Sequence, residues 1–473
     1  MTCPSKVRLP AEYLPRRNRP AWRIAEVAAD PAAVSTEVRA MVINRIIDNA
    51  AVAAAAARRR PATLARAQAR AHRRTPGAAI FGVDGAYSAE WAAFANGVAV
   101  HDLDLHDVFP AAPDAHPGAA IPALTSVAQQ AGLRGADLVN GIATAYEVHL
   151  ALAQRTHPRR RTVGHPEPLS TAVTAGLGTM LRLSPATIYT ALTRTVQLTA
   201  ASRSGYSAAY AGKVAIEAVD RAVHGERHPE PPGGHDDGPD WLLTEHDRRT
   251  RLPEPGDPKT AILDSCPRRH SAAYGGQAWI DLALKMRDRI GRVEAIESVV
   301  LHTRQDTDVT AGPADPCRSD SPAPRDTLAG SVDYLFTVAL QDGAVHHDQS
   351  YTSERAQRAD TVYLRRQISF VEDAAERMPG ARATITMKSG AVITDELAVP
   401  DAHPQGARPF RRNDYVAKFT ELAEGIIDRR EQQRFLDVVT CLGDLKRGSL
   451  GMLNPLISQH ILDAAPNTHG IFA

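Results

Sequence analysis

Alanine-rich segments with helical periodicity dominate the first half of the chain and narrow the folds available to it. Residues 35–57 repeat apolar side chains at helical spacing, with Ser35 as the predicted N-cap. Residues 169–183, LSTAVTAGLGTMLRL, carry small residues on every side, as expected of a central buried helix. The same patterns predict further helices over 62–74, 88–104, 136–154 and from Pro185 onward. Aromatic residues are only 5% of the chain, which favours close helix packing over an aromatic-rich β-sandwich.

The pattern changes after a segment rich in proline, glycine and charge at 225–260. A helix is predicted over 277–290, a strand over 293–303, and a hairpin over 381–399 around Ser389-Gly390. Helical spacing returns from Asn413. The sequence therefore predicts a mainly α protein with an α+β part. Its predicted parts are a large all-helical domain over 1–258, a smaller inserted α+β domain over 259–404, and C-terminal helices over 405–473 that pack back on the helical domain.

Charge and cysteine content exclude several classes of protein. Lys and Arg total 55 and Asp and Glu total 54, so no net field attracts nucleic acid or an anionic membrane. The four cysteines (Cys3, Cys266, Cys317 and Cys441) form no CxxC pair, which argues against a zinc site or a disulfide framework. No apolar run approaches the ~18 residues of a membrane helix, and the first residues carry no apolar signal region. We therefore expect a soluble, cytoplasmic protein without nucleic-acid or membrane partners.

The stretch HDLDLHDVFPAAPDAHPG, residues 101–118, concentrates titratable side chains beside prolines and a glycine. A metal site would need three or four ligands that converge on one point, and no HExxH or comparable spacing is present. A capped polar turn at a helix end is the structural alternative. The accumulation of acids and histidines favours a rigid loop for acid–base chemistry, without a bound metal.

Two further residues stand where small-residue segments begin. His165 lies in a Gly-His-Pro turn before the predicted central helix, where backbone N–H groups favour anions. Lys213 follows a Gly/Ser/Ala-rich loop and could hold a carboxylate or move a proton. The alternatives are a loop histidine bonded to a carbonyl and an exposed first-turn lysine. GxGxxG, P-loop and GxSxG motifs are absent, so no dinucleotide or other cofactor is predicted.

With these segments in view, the chain resembles the MmgE/PrpD family, which includes 2-methylcitrate dehydratase and cis-aconitate decarboxylase. The resemblance spans most of the chain and is strongest over 96–225, in NGVAVHDLDLHDVF, DLVNGIATAYEVHLAL and GHPEPLSTAVTAGLGTMLRLSPATIYTALT. It continues through SVDYLFTVALQDG and the C-terminal hairpin and helices. The resemblance implies a helical domain with an α+β lid domain, a homodimer, and an active site between the two domains.

The resemblance also implies a set of active-site residues. Asp104 matches the family aspartate and His116 its His-Pro histidine, with the longer spacing typical of 2-methylcitrate dehydratases. His165 and Lys213 match further active-site positions. Tyr334, in SVDYLF, matches a tyrosine that lines the pocket from the α+β domain.

Three departures from the family pattern bear on the substrate. Val108 stands where the family motif has a threonine, so one hydroxyl is missing. The segment ILDSCPRRHSAAYGG lacks a lysine that the family usually carries there. Gly330 stands where 2-methylcitrate dehydratases tend to have a histidine. Arg268, Arg269 or His270 could take the place of the missing lysine. The candidate substrate-binding residues are Val108, Arg203, Arg268, Arg269 and His270.

Together the resemblance and the motif residues imply a hydro-lyase that acts on a small di- or tricarboxylate. The expected reaction is the cofactor-independent dehydration of 2-methylcitrate to 2-methylaconitate, a step of propionate catabolism. Aconitase uses a cysteine-held iron–sulfur cluster for such chemistry, and the scattered cysteines here form no such site. The alternatives are a lyase, decarboxylase or isomerase for another acid, and an inactive family member that serves as a binding protein.

Overall fold

The chain folds into two units, and each unit is built from segments that are separated in the sequence. The computed structural model describes residues 17, 19–154, 168–199, 207–226, 252–303, 324–372 and 380–462. The first unit comprises Met1–Asp102, Asp114–Ser265 and Lys418–Ala473. The second comprises Leu103–Pro113 and Cys266–Ala417. The motif around Asp104 therefore belongs to a different unit from the helices before and after it in sequence.

The first unit is helical. Its elements up to residue 264 are α1 (Pro20–Ala29), α2 (Thr36–Ala56), α3 (Arg60–Arg70), the short strand β1 (Arg73–Ala78), α4 (Ala89–His101), a 3-10 helix (Pro117–Ala120), α5 (Ile121–Gln130), α6 (Gly135–Ala153), α7 (Pro168–Met180), α8 (Pro185–Thr199), α9 (Ser207–Val223) and a second 3-10 helix (Ala261–Asp264).

Local sequence signals account for several of these helix ends. The Ser35 hydroxyl accepts a hydrogen bond from the Val38 N–H (3.3 Å) and caps α2 as predicted. Ser184 likewise accepts from the Thr187 N–H (3.2 Å) at the start of α8. The helix predicted over 62–74 is too long, because α3 ends at Arg70 and the next residues enter β1.

The central helix α7 is buried along its length, as its small residues predict. It packs closely on α6: a Cβ added at Gly176 would lie 2.7 Å from the Gly141 carbonyl oxygen. Only glycine allows the two backbones to approach this closely. The small-residue stripe therefore serves helix packing.

The second unit combines helices with a small mixed sheet. Its helices and strands are α10 (Tyr274–Ile290), a 3-10 helix (Val293–Ala295), β2 (Ile296–Thr303), α11 (Arg325–Gly330), α12 (Val332–Asp342), a 3-10 helix (Gln349–Tyr351), α13 (Ser353–Ala356), α14 (Ala359–Arg366), β3 (Ile368–Glu372), β4 (Ala381–Met387) and β5 (Val392–Leu397). The strand order is β3-β2-β4-β5. β2 runs parallel to β3 and antiparallel to β4.

The core of the second unit lies where α10 packs on α12 and on the hairpin strands. The residues predicted to face inward from α10 are all buried; they are Trp279, Leu282, Ala283, Met286 and Ile290. Gly390 has a φ of 83° in the predicted β4–β5 hairpin, a backbone conformation that favours glycine. The predicted fold class, mainly α with a small α+β part, is confirmed.

The last described elements are α15 (Arg412–Leu422), α16 (Arg429–Thr440), two 3-10 helices (Leu442–Asp444 and Leu450–Leu453) and α17 (Gln459–Leu462). From Lys418 onward these residues belong to the helical unit. Lys418 forms a buried ion pair with Asp48 of α2 (2.6 Å). The boundaries predicted at 258 and 404, and the lid role, stay predictions, whereas the chain crosses between units at Asp102, Pro113, Ser265 and Ala417.

In the described part of the chain, no single helix has the length and apolarity to cross a bilayer. The pair α2 and α3 passes the test of length and composition only when taken together, across a bend of 100°.

Candidate active site

The Asp104 motif is anchored to the second unit through its backbone. Val108 and Cys266 exchange two backbone hydrogen bonds, from the Val108 N–H (3.0 Å) and from the Cys266 N–H (2.8 Å). The Val108 side chain is fully buried. The position that differs from the family threonine therefore lies inside the second unit, in a rigid segment.

Asp104 itself has left-handed backbone geometry, with φ at 49°. Few residues other than glycine adopt this conformation, and aspartate is among those that tolerate it. The Arg268 guanidinium donates to the Asp104 carbonyl oxygen (2.7 Å) and also forms an ion pair with its carboxylate. The Arg268 side chain is 1% exposed and that of Asp104 35% exposed. A buried cation thus holds a carboxylate that still reaches the surface of its unit.

A second arginine, Arg325, fixes the residue before Asp104. Its Nη2 donates to the Leu103 carbonyl oxygen (3.0 Å) and to the Ser271 hydroxyl (2.6 Å). The Ser271 hydroxyl in turn donates to the same Leu103 carbonyl (2.9 Å). Sequence reasoning missed Arg325, since it follows a Pro/Asp-rich loop with no motif around it. Two arginines therefore hold consecutive carbonyl groups of the motif.

Tyr351 completes this cluster. Its hydroxyl donates to the Ser271 carbonyl oxygen, and the Arg325 guanidinium lies 4.8 Å from the centre of its ring. Burial raises the pKa of Tyr351, although the nearby Arg325 charge acts in the opposite direction. Tyr351 therefore stays a neutral hydrogen-bond donor near neutral pH.

Tyr334, predicted as a catalytic residue, is fully buried in α12. Its hydroxyl donates to the Ser350 carbonyl oxygen. The Arg365 guanidinium lies 5.5 Å from the ring centre and forms a buried ion pair with Asp333 (2.9 Å). A catalytic role for Tyr334 would require its hydroxyl to leave Ser350.

The three residues proposed to replace the missing lysine take different positions. Arg268 binds Asp104, as described above. Arg269 is exposed. The buried His270 ring bonds the Asp281 carboxylate (2.9 Å), which also accepts from the Asp401 N–H (2.8 Å). Of the three, Arg269 is the one exposed to solvent.

The helical unit contributes His116, which precedes the 3-10 helix Pro117–Ala120. Its imidazole lies edge to face against that of His101, the last residue of α4, with ring centres 5.7 Å apart and an angle of 74°. His101 opens the motif but was not singled out from the sequence. The next residue, Asp102, forms an ion pair with Arg59 and is 8% exposed at its side chain.

Lys213, in α9, directs its ammonium at the Trp91 ring of α4, 3.2 Å from the ring centre. His72 stacks on the same indole, with centres 4.1 Å apart and rings nearly parallel at 2°, so it occupies the opposite face. Burial lowers the pKa of Lys213, partly offset by the charges of Glu90 and Glu217. Burial also lowers the pKa of His72, and the Lys213 charge adds to that effect.

His165 and Arg203 lie outside the described residues. Among the residues that are described, no group of three or more His, Cys, Asp or Glu side chains has the arrangement of a metal site.

Most of the chain matches the two domains of one protein family. The MmgE/PrpD N-terminal domain matches residues 22–238, and the MmgE/PrpD C-terminal domain matches residues 270–444. The chain belongs to the MmgE/PrpD family. Because that family consists in general of dehydratase-like enzymes, a lyase-type activity is the general function its membership supports.

Proposed function

We propose that this family member is a hydro-lyase that dehydrates a small hydroxy tricarboxylate without a cofactor, with 2-methylcitrate as the first substrate to test. The observation that carries the proposal is the Asp104 carboxylate, partly exposed and held by the buried Arg268. The spacing from Asp104 to His116, typical of 2-methylcitrate dehydratases, supports this choice of substrate. The proposal includes a homodimer, which sedimentation would test.

The proposed reaction needs two proton transfers. A base removes a proton from the carbon next to a carboxylate, and the electron pair forms the new double bond as the carbon–oxygen bond breaks. An acid protonates the departing hydroxyl group, which leaves as water. Asp104 and His116 are the proposed pair for these transfers, with His165 as a further proton carrier. Imidazole suits either role near neutral pH.

The substrate carboxylates require cationic partners. Lys213 is proposed to bind one of them, because an ammonium on an indole face still has N–H bonds to donate. Arg203 and Arg269 are proposed as further contacts. Arg268 acts through Asp104, since its guanidinium is bound to that residue.

The test measures product formation by chelator-treated protein. 2-Methylcitrate and citrate are mixed with enzyme, and the conjugated acid is followed by ultraviolet absorbance and identified by NMR. His116→Ala should lower turnover by about 10²–10⁴-fold, the range of one general acid or base. His224→Ala, at an exposed histidine of the same unit, is the matched control and should retain turnover.

A second candidate function is suggested by Val108 and Gly330. The buried Val108 side chain supplies no hydroxyl, and Gly330 ends α11 where an added Cβ would meet no atom within 4 Å. These positions favour a related lyase, decarboxylase or isomerase that needs fewer contacts to its acid. Carbon dioxide release from cis-aconitate tests the decarboxylase. Binding of these acids without turnover would instead indicate an inactive binding protein.

A further inference from the structure

We propose that a cavity inside the helical unit binds a small neutral molecule that carries a hydrogen-bond donor and an acceptor on neighbouring atoms. α2, α4 and α5 form most of its wall, and the other lining residues include Phe81, Phe435 and Leu453. Its volume is about 70 Å³. Since one water needs ~10–15 Å³ of such volume, it has room for about five waters or a molecule of comparable size.

Three of the four carboxamides in the wall form hydrogen bonds with backbone groups through both their oxygen and their nitrogen. The Asn96 oxygen accepts from the Phe81 N–H (2.8 Å) and its nitrogen donates to the Ala79 carbonyl (3.0 Å). Gln129 accepts from the Ala79 N–H (2.8 Å) and donates to the Leu450 carbonyl (3.2 Å). Asn454 binds the Gly82 N–H (3.1 Å) and the Val83 carbonyl (3.0 Å) in the same way.

The fourth carboxamide, Asn49 of α2, is different. It is 5% exposed, and neither its oxygen nor its nitrogen has a hydrogen-bond partner among the described residues. The buried hydroxyl oxygen of Thr125, in the same wall, also has no partner within the described part of the chain. Buried polar atoms are costly to leave unpaired, and a molecule bound in the cavity would satisfy them. Asn49 offers that molecule one acceptor and one donor side by side.

The chemistry of the wall selects against charge. The remaining lining side chains are apolar or carry paired amides, and the wall contains no ionisable side chain. A carboxylate would lose its hydration there without gaining a cation, which makes burial unfavourable. The fitting ligand is therefore a short neutral amide. This inference does not depend on the proposed function, whose substrate is an anion.

Isobutyramide and isobutyrate form a matched pair of probes, because they share shape and differ in charge. Ligand-observed NMR with the full chain should detect isobutyramide binding and no isobutyrate binding. Asn49→Leu should weaken isobutyramide binding by about tenfold or more, the effect of a lost hydrogen-bonded pair. Ala53→Val, which adds methyl groups to the wall, should weaken it also. Thr36→Val, at an exposed threonine outside the wall, is the control.

The melting temperature of each variant shows whether it has folded. If Asn49→Leu does not fold, Thr125→Val provides the same comparison at the second unpaired group. Equal binding of amide and carboxylate would overturn the proposal. So would a crystal structure, grown with isobutyramide, in which only ordered waters occupy the cavity.

Discussion

Arg268 is a buried cation and Lys213 a half-buried one, and the fold surrounds their charges with different groups. Arg268 is buried against the Asp104 carboxylate and carbonyl. Lys213 lies on the face of Trp91, and burial lowers its pKa. A cation that is paired with a carboxylate holds that carboxylate in place. A cation on an indole face still has N–H bonds with which it can bind an anion. We therefore propose that Arg268 positions Asp104 and that Lys213 binds the substrate.

The largest expected effect follows removal of Arg268. Arg268→Ala leaves the Asp104 carbonyl and the partly exposed carboxylate without their buried partner, and hydrogen bonds to a charged group contribute about 1.5–3 kcal/mol. We expect a loss of about that size in the free energy of unfolding, measured with urea. The exposed neighbour Arg269→Ala should cost less than about 0.5 kcal/mol. Equal losses of unfolding free energy in the two variants would show that the contacts of Arg268 with Asp104 do not stabilise the fold.

Removal of Arg325 tests the second arginine that binds a carbonyl group of the motif. Arg325→Met keeps an unbranched apolar stem but loses the hydrogen bonds to Leu103 and Ser271. A loss of about 1–2 kcal/mol in unfolding free energy is expected from the lost bonds of a charged donor, while the Leu103 carbonyl keeps its bond from the Ser271 hydroxyl. Arg292→Met, at an exposed arginine of the same unit, is the control. If Arg325→Met has the same free energy of unfolding as the wild type, Arg268 alone stabilises the motif.

Lys213 should give a pH effect. Because its pKa is lower in the folded than in the unfolded chain, the related stability is present above the unfolded value of about 10.4 and lost as pH falls through the folded value. The free energy of unfolding of the wild type should therefore rise relative to Lys213→Met as pH increases from 8 to 10. Lys446→Met, at an exposed lysine, should run parallel to the wild type. A slope shared by all three proteins would contradict this.

The smallest effect is expected at His72, on the other face of Trp91. Its lowered pKa means that the unfolded chain binds a proton more readily near pH 6, so the related stability is lost as pH falls below about 6.5. His72→Phe keeps the stacked ring and should lose less stability than the wild type between pH 7 and pH 5. Thermal unfolding at the two pH values measures the difference. A larger acid loss in His72→Phe would argue against the stacked arrangement.

The sequence predicts most helices correctly because their signals are local. Ser35 and Ser184 cap the helices that follow them, and the buried face of α10 follows from its spacing. The site is harder to predict, since its contacts join distant segments. Nothing near Arg325 indicates that it will bind the Leu103 carbonyl. The transfer of residues 103–113 to the second unit has no local signal either.

The proposed role of Asp104 in proton transfer is tested most directly by turnover. Chelator-treated wild type and Asp104→Asn are mixed with 2-methylcitrate, and the conjugated acid is followed by absorbance, with Asp84→Asn at an exposed aspartate as the control. We predict turnover by the wild type and the control, and a fall of about 10²–10⁴-fold in Asp104→Asn. Turnover by Asp104→Asn at the wild-type rate would contradict it.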